Sequence, residues 1–165
     1  MNYQIRAILR YLFVVLFGVF LHFAYDFSGN NFLVGLFSTV NESIWEHLKL
    51  IFYPMLVLTL YDALSTRYDG LQFIIPRTKG TLFGMLFMIV AYYTITGIIG
   101  KDIAWFNIVL YLLSILFAFC IQAKSQNKRS FLSIRTAIHI WVLFIVLFTI
   151  VTFAPPAFGI FIPPT

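Results

Sequence analysis

Long apolar stretches broken by short polar clusters set the pattern of this chain. A helix needs about 20 apolar residues to cross the hydrocarbon core of a bilayer. Five segments meet or approach that length: residues 5–27, 45–66, 80–100, 103–123 and 132–153. The third and fourth contain no charged residue. The second is the weakest, because only residues 50–61 separate Lys49 from Asp62 and the span must extend past both. The pattern predicts an all-α integral membrane bundle of five transmembrane helices, forming a single domain over residues 1–165.

Two connecting pieces depart from ordinary loops. Residues 28–41 are too short to span and too apolar for a solvated loop. They are expected to form an interfacial segment between the first two helices, lying at the outer membrane interface or dipping into it, with their backbone covered by protein or water, because lipid offers no hydrogen bonds. The tail, residues 154–165, has no charge and four prolines, which forbid a regular helix. It is expected to lie across the ends of the helices. No internal repeat of the kind found in inverted-repeat transporters is evident.

Composition agrees with this picture. The chain is 61% hydrophobic and 19% aromatic, with only 10% charged residues, which is outside the range of soluble globular domains. The partner this implies is the lipid bilayer. The net charge of +5 carries no basic run with interleaved aromatics, so it reads as a topology signal and not as a nucleic-acid footprint. Arg6, Arg10, Arg67, Arg77, Lys79, Lys124, Lys128, Arg129 and Arg135 fall on one side of a five-span chain; only Lys49 and Lys101 fall on the other. The positive-inside rule then predicts a cytoplasmic N-terminus and an external C-terminus. Arg6 and Arg10 before an apolar run resemble a signal peptide. No small-residue cleavage site follows, so an uncleaved first helix is expected.

Candidate chemistry concentrates where charge is otherwise scarce. Asn41-Glu42-Ser43-Ile44-Trp45-Glu46-His47-Leu48-Lys49 holds two of the six acidic residues and one of the three histidines. Thr39-x-x-Glu42 has the form of a capping box that starts the second helix. Glu42 and Glu46, four apart, are expected on one face, with His47 about 100° around from Glu46 and Lys49 within reach of it. His22 and Asp26 are likewise four apart, with His22 about 25 Å up the first helix. The short connection brings all these groups to one leaflet, together with the amides of Asn30, Asn31 and Asn41.

Two readings of this cluster stay open. In one, His22, Asp26, Glu42, Glu46 and His47 form a ligand- or ion-binding site, supported by Asn30, Asn41, Trp45 and Lys49. His22, Asp26, Glu46 and His47 are then candidate ligands of a divalent metal cofactor such as Zn²⁺. In the other, the segment is a capped helix start in the headgroup layer, with Trp45 as an interfacial anchor. For Glu42 a capping role suffices. His22 and Asp26 lie inside a span, where ionisable groups default to functional hypotheses.

Other singled-out residues have structural readings. His139 is expected to bond a neighbouring helix. Asp62 is expected to pair with Arg67 or Arg135, and Pro54 to free a carbonyl in mid-span. Lys101-Asp102 reads as a polar turn. The single cysteine, Cys120, reads as inert buried packing and excludes disulfide or cysteine-zinc frameworks. No G-x-S-x-G, P-loop or HExxH pattern is present.

His22-Phe-Ala-Tyr-Asp-Phe-Ser-Gly-Asn30 and Asn41-Glu-Ser-Ile-Trp-Glu-His-Leu-Lys49, with Pro155-Pro156, resemble an uncharacterised family of small bacterial membrane proteins. That family is known as a domain of unknown function. The resemblance covers nearly the whole chain and implies a multi-pass protein of the bacterial cytoplasmic membrane; it implies no activity. Three functions remain: a cation- or ligand-binding protein serving transport, a metal-dependent hydrolase or transferase acting on lipid, and an accessory subunit of a larger membrane complex. The first is compatible with a homo-oligomer.

Overall fold

A computed structural model describes residues 2–65, 70–126 and 130–163. Arg67, Lys128 and Arg129, used above for orientation, lie outside these residues, as do Thr66, Pro164 and Thr165. The described chain is helical: α1 (Tyr3–Phe27), a single turn α2 (Phe32–Gly35), α3 (Ile44–Ser65), α4 (Ile74–Ile99), α5 (Ala104–Ser125) and α6 (Ile134–Phe153), with 3₁₀ turns at Gly70–Phe73 and Gly159–Phe161. All but α2 are long and apolar enough to cross a membrane.

The weakest span by hydropathy is the centre of the bundle. α3 buries Leu48, Ile51, Phe52, Met55 and Leu58, and its three charged residues, Glu46, Lys49 and Asp62, are buried as well. The other spans turn apolar side chains outward: Leu16 on α1, Ile98 on α4, Ile108 on α5 and Ile150 on α6 are all more than half exposed. An outward apolar face is what lipid contact requires, and a charge-bearing helix is stable in that setting only at the centre.

Helix contacts are close where side chains are absent. A Cβ on Gly18 would run into the Tyr111 hydroxyl and lie 2.5 Å from Leu50 O. Leu50 O is the carbonyl that Pro54, inside α3, leaves without its helical donor. The Tyr111 hydroxyl donates to Val15 O at 3.0 Å, so α1, α3 and α5 are pinched together at this level. On the other side of the bundle, Gly80 and Gly84 of α4 seat against Ala118 of α5, the small-xxx-small mode of membrane helix packing.

Several expectations are corrected. α4 begins at Ile74, six residues before the expected start, and takes Arg77 with it. Arg77 is fully buried and donates from Nη2 to Asp62 Oδ2 at 2.7 Å. Arg10 donates from Nη2 to Asp62 Oδ1 at 2.6 Å, with its guanidinium 5.7 Å from the Phe73 ring. Asp62 is thus held by α1 and α4, through two arginines that hydropathy had assigned to the flanks. Cys120 is exposed, on an outward face of α5. His139 is exposed too; its Nδ1 donates to Arg135 O, 2.7 Å away on its own helix, and not to a neighbour. Trp45 is half-buried, with its ring 5.0 Å from Phe148 and 5.1 Å from Phe161 of the returning tail, so it joins tail to core instead of anchoring an interface.

A candidate metal centre

The start of α3 decides which acidic residue meets the histidines. The helix begins at Ile44, so the cap is Ser43 and not Thr39. Ser43 Oγ accepts from Glu46 N at 3.4 Å, while Asn41 Oδ1 accepts from Ser43 N at 2.9 Å. Glu42 therefore lies before the helix, and the expected stacking of Glu42 on Glu46 does not occur. The two carboxylates point to different places.

Glu46 turns into the protein. Its Oε2 accepts from Lys49 Nζ at 2.8 Å and from Val40 N at 3.0 Å, and its Oε1 accepts from Thr152 Oγ1 at 2.8 Å. Lys49 spends its remaining donors on Gly35 O at 3.1 Å and Ser38 O at 3.0 Å. Both side chains are essentially inaccessible to solvent. This is a fully satisfied buried ion pair that ties the connection around α2 to α3 and α6.

Glu42 turns toward the histidines instead. His47 Nε2 lies 3.4 Å from Glu42 Oε2, and His22 Nε2 lies 3.9 Å from Glu42 Oε1. The two imidazole rings are 5.3 Å apart. One ligand atom from each of His22, Glu42 and His47 falls within 4.8 Å of the others. Asp26 is exposed one turn further along α1, near enough to act on His22 through its charge but outside the group. Asn30 is exposed in a left-handed turn (φ 60°), and Asn41 is occupied with Ser43, so neither reaches the cluster.

The backs of both imidazoles are taken. His47 Nδ1 lies 2.8 Å from Ser43 O; a carbonyl only accepts, so Nδ1 carries the hydrogen. Thr39 Oγ1 donates its one hydrogen to His22 O at 3.0 Å, and accepts from His22 Nδ1 at 3.4 Å. A neutral imidazole has a single N–H, so both Nε2 atoms present lone pairs to the same side. Glu42, ionised, offers only lone pairs as well. In these tautomers three electron-pair donors face one another, and a proton on Nε2, a bridging water or a metal ion can link them.

The neighbouring His47 bears on the charge of Glu42. Its carboxyl is held below its ordinary value, first by the hydrogen bond from His47, with partial burial opposing. A depressed folded pKa adds stability above the unfolded value, near pH 4.5, and that contribution disappears as pH falls through the lower folded value. Wild-type protein and Glu42→Gln are therefore expected to differ most in thermal stability near neutral pH and to converge in acid. A gap that stayed constant or widened in acid would contradict this linkage.

The cluster opens into a cavity of about 700 Å³ whose other walls come from α4 and α5. Five apolar spans and one converging His/carboxylate group make this a multi-pass helical membrane protein with a potential cation site. The chain belongs to a family of unknown function (DUF6512), whose model matches residues 2–164. No curated protein and no solved structure matches it.

Proposed function

We propose that this protein binds a divalent transition metal, Zn²⁺ being the best fit, through His22 Nε2, His47 Nε2 and Glu42. The observation that carries this is the convergence of three lone-pair donors whose imidazole backs are already bonded. Tetrahedral zinc with ligands at about 2.0–2.2 Å places its ligand atoms roughly 3.3–3.6 Å apart. His47 Nε2 lies 3.4 Å from Glu42 Oε2, near that edge length, while His22 Nε2 lies 3.9 Å from the other oxygen, Oε1, so the three groups draw in slightly around the ion. Nδ1–H donation to a carbonyl or hydroxyl is the usual way a metal-ligating histidine is oriented. Three protein ligands leave one coordination position open, as in sites that bind or transform a further molecule and unlike closed structural sites.

Charge distribution supports an orientation with the N-terminus in the cytoplasm, so that the metal lies in the outer leaflet of a bacterial cytoplasmic membrane. A proton and the metal compete for the same lone pairs, so occupancy falls on acidification.

The test is metal content by mass spectrometry after reconstitution with zinc and removal of excess. Near-stoichiometric zinc is expected in wild type and in Asp26→Asn. It is expected to be lost in His47→Ala and in Glu42→Gln. Thr39→Val, which removes the acceptor behind His22, is expected to weaken zinc binding by about 10–100-fold. Zinc absent from wild type, or retained by both ligand variants, overturns the assignment.

A further inference from the structure

The cavity beside the cluster is amphipathic in a definite way. Most of its wall is apolar, with Val19 and Phe23 from α1, Met88 from α4, and Ile108 and Leu110 from α5. Its polar side chains include His22, Glu42 and His47, Asp102 and Asn107, and the tyrosines Tyr92 and Tyr111. Asn107 Nδ2 donates to both carboxylate oxygens of Asp102, at 2.9 and 3.2 Å. Asn107 Oδ1 is buried and has no partner among the described residues. A buried acceptor left unpaired is costly and marks a place where a donor is missing.

The cavity also has a side door. Below Gly18, α1 and α5 are joined by Tyr111 to Val15 O and by Tyr11 to Leu112 O, at 3.0 and 3.3 Å. Above it, Val19 and Phe23 on one helix and Ala104 and Ile108 on the other line the cavity while remaining exposed. All four sit on spans apolar enough to cross a membrane, so in a bilayer the opening between them faces lipid, while exposed Glu42 marks a second, polar edge of the cavity.

Size limits what fits. The volume of about 700 Å³ is that of a pocket for one small molecule, such pockets running to roughly 300–1,000 Å³. One alkyl chain with a small head is of that size class. We propose that the cavity takes a single-chain, hydroxyl-bearing amphiphile from the bilayer, entering between α1 and α5. Its hydroxyl head reaches the open position of the metal and donates to Asn107 Oδ1, and its chain lies along Phe23, Met88 and Ile108. The head-group assignment rests on the metal reading: a bound dication disfavours a cationic head, and Asn107 Oδ1 needs a hydrogen that a hydroxyl supplies and an ionised carboxylate does not; the side opening rests on the helix geometry alone.

The test uses the full chain, zinc-loaded, in phosphatidylcholine nanodiscs, with a 1-monoacylglycerol that carries a photoactivatable diazirine in its chain. Adducts located by peptide mass spectrometry are expected at Met88 and Leu110. They should be lost in the double variant Val19→Trp/Ile108→Trp, which fills the opening from positions that face lipid; retained zinc shows that this variant is folded. The same chain as a methyl ester, without hydroxyls, should label these residues far less, and so should Asn107→Leu with the monoacylglycerol. Equal labelling by the ester overturns the head-group assignment. Equal labelling by a two-chain phosphatidylcholine probe overturns the single-chain limit. No adducts in zinc-loaded wild type overturn the proposal while leaving the metal site standing. Adducts in a wild type that binds no zinc remove the metal and the head group but keep the side opening.

Discussion

Lys49→Met is expected to destabilise the protein by about 3–5 kcal/mol, because it removes one partner of a fully buried ion pair and leaves the other charge uncompensated. Lys49 is wholly inaccessible, and its ammonium donates to Glu46, Gly35 O and Ser38 O. Methionine matches its length and supplies no donor. The substitution orphans two backbone carbonyls as well as the carboxylate, in surroundings where water cannot replace the lost bonds. For a chain of this size the loss corresponds to a fall in Tm on the order of 10 °C, measurable by thermal unfolding in detergent. Glu46→Gln combined with Lys49→Met removes both charges, and much of the stability should return, because neutral replacement of a buried pair is often tolerated. A single variant that unfolds like wild type would show that water or lipid headgroups reach Lys49.

Asp62→Ala is expected to be at least as damaging, about 3–5 kcal/mol by the same reasoning. Asp62 holds Arg10 at 2.6 Å and Arg77 at 2.7 Å, and Arg77 is completely buried. Two atoms of that guanidinium, Nε and Nη1, already have no hydrogen-bond partner among the described residues. Removing the carboxylate leaves the positive charge of Arg77 with its main partner gone. Arg10, about a third exposed, can turn outward and snorkel, so the loss falls mainly on Arg77. Asp62→Ala combined with Arg77→Met should therefore be more stable than Asp62→Ala alone, whereas Asp62→Ala combined with Arg10→Met should gain little. Equal rescue by both would mean that the two arginines share the charge evenly. Neither change touches the His22 group, so zinc binding in whatever folded fraction remains should be unaltered.

Hydropathy made the spans legible because lipid exposure demands outward apolar surface on every peripheral helix. It misplaced the start of α4, since Arg77 looks like a flank residue until Asp62, fifteen positions earlier, is known to face it. That pairing is a long-range fact with no local signature. Of the candidate residues, the structure brings the two histidines together with Glu42 and places Asp26 and Glu46 elsewhere. His22 and His47 stand out as imidazoles in apolar helices, and both reach the cluster. Glu42 read as a cap because Thr39-x-x-Glu42 and Ser43-x-x-Glu46 fit the same template four residues apart, and only the true helix start separates them. Once Ser43 is the cap, Glu46 faces Lys49 and Thr152 while Glu42 stays free to meet the rings. Asn107 was missed altogether: an amide near the start of an apolar span carries no signal until its buried Oδ1 is seen without a donor.

The two ionic locks of α3 differ in where their parts lie along the chain, and this bears on how the helix enters a membrane. Lys49 finds all its acceptors between Gly35 and Glu46, so that end can be neutralised by its own neighbourhood before any other helix arrives. Asp62 depends on Arg10, more than fifty residues upstream, and on Arg77, which is synthesised later. α3 is therefore neutralised at its Lys49 end by its own neighbourhood, and at its Asp62 end it also draws on helices made before and after it. The Arg77 half of the Asp62 lock closes only when α4 arrives, so the order of synthesis bears on when that end of α3 is completed.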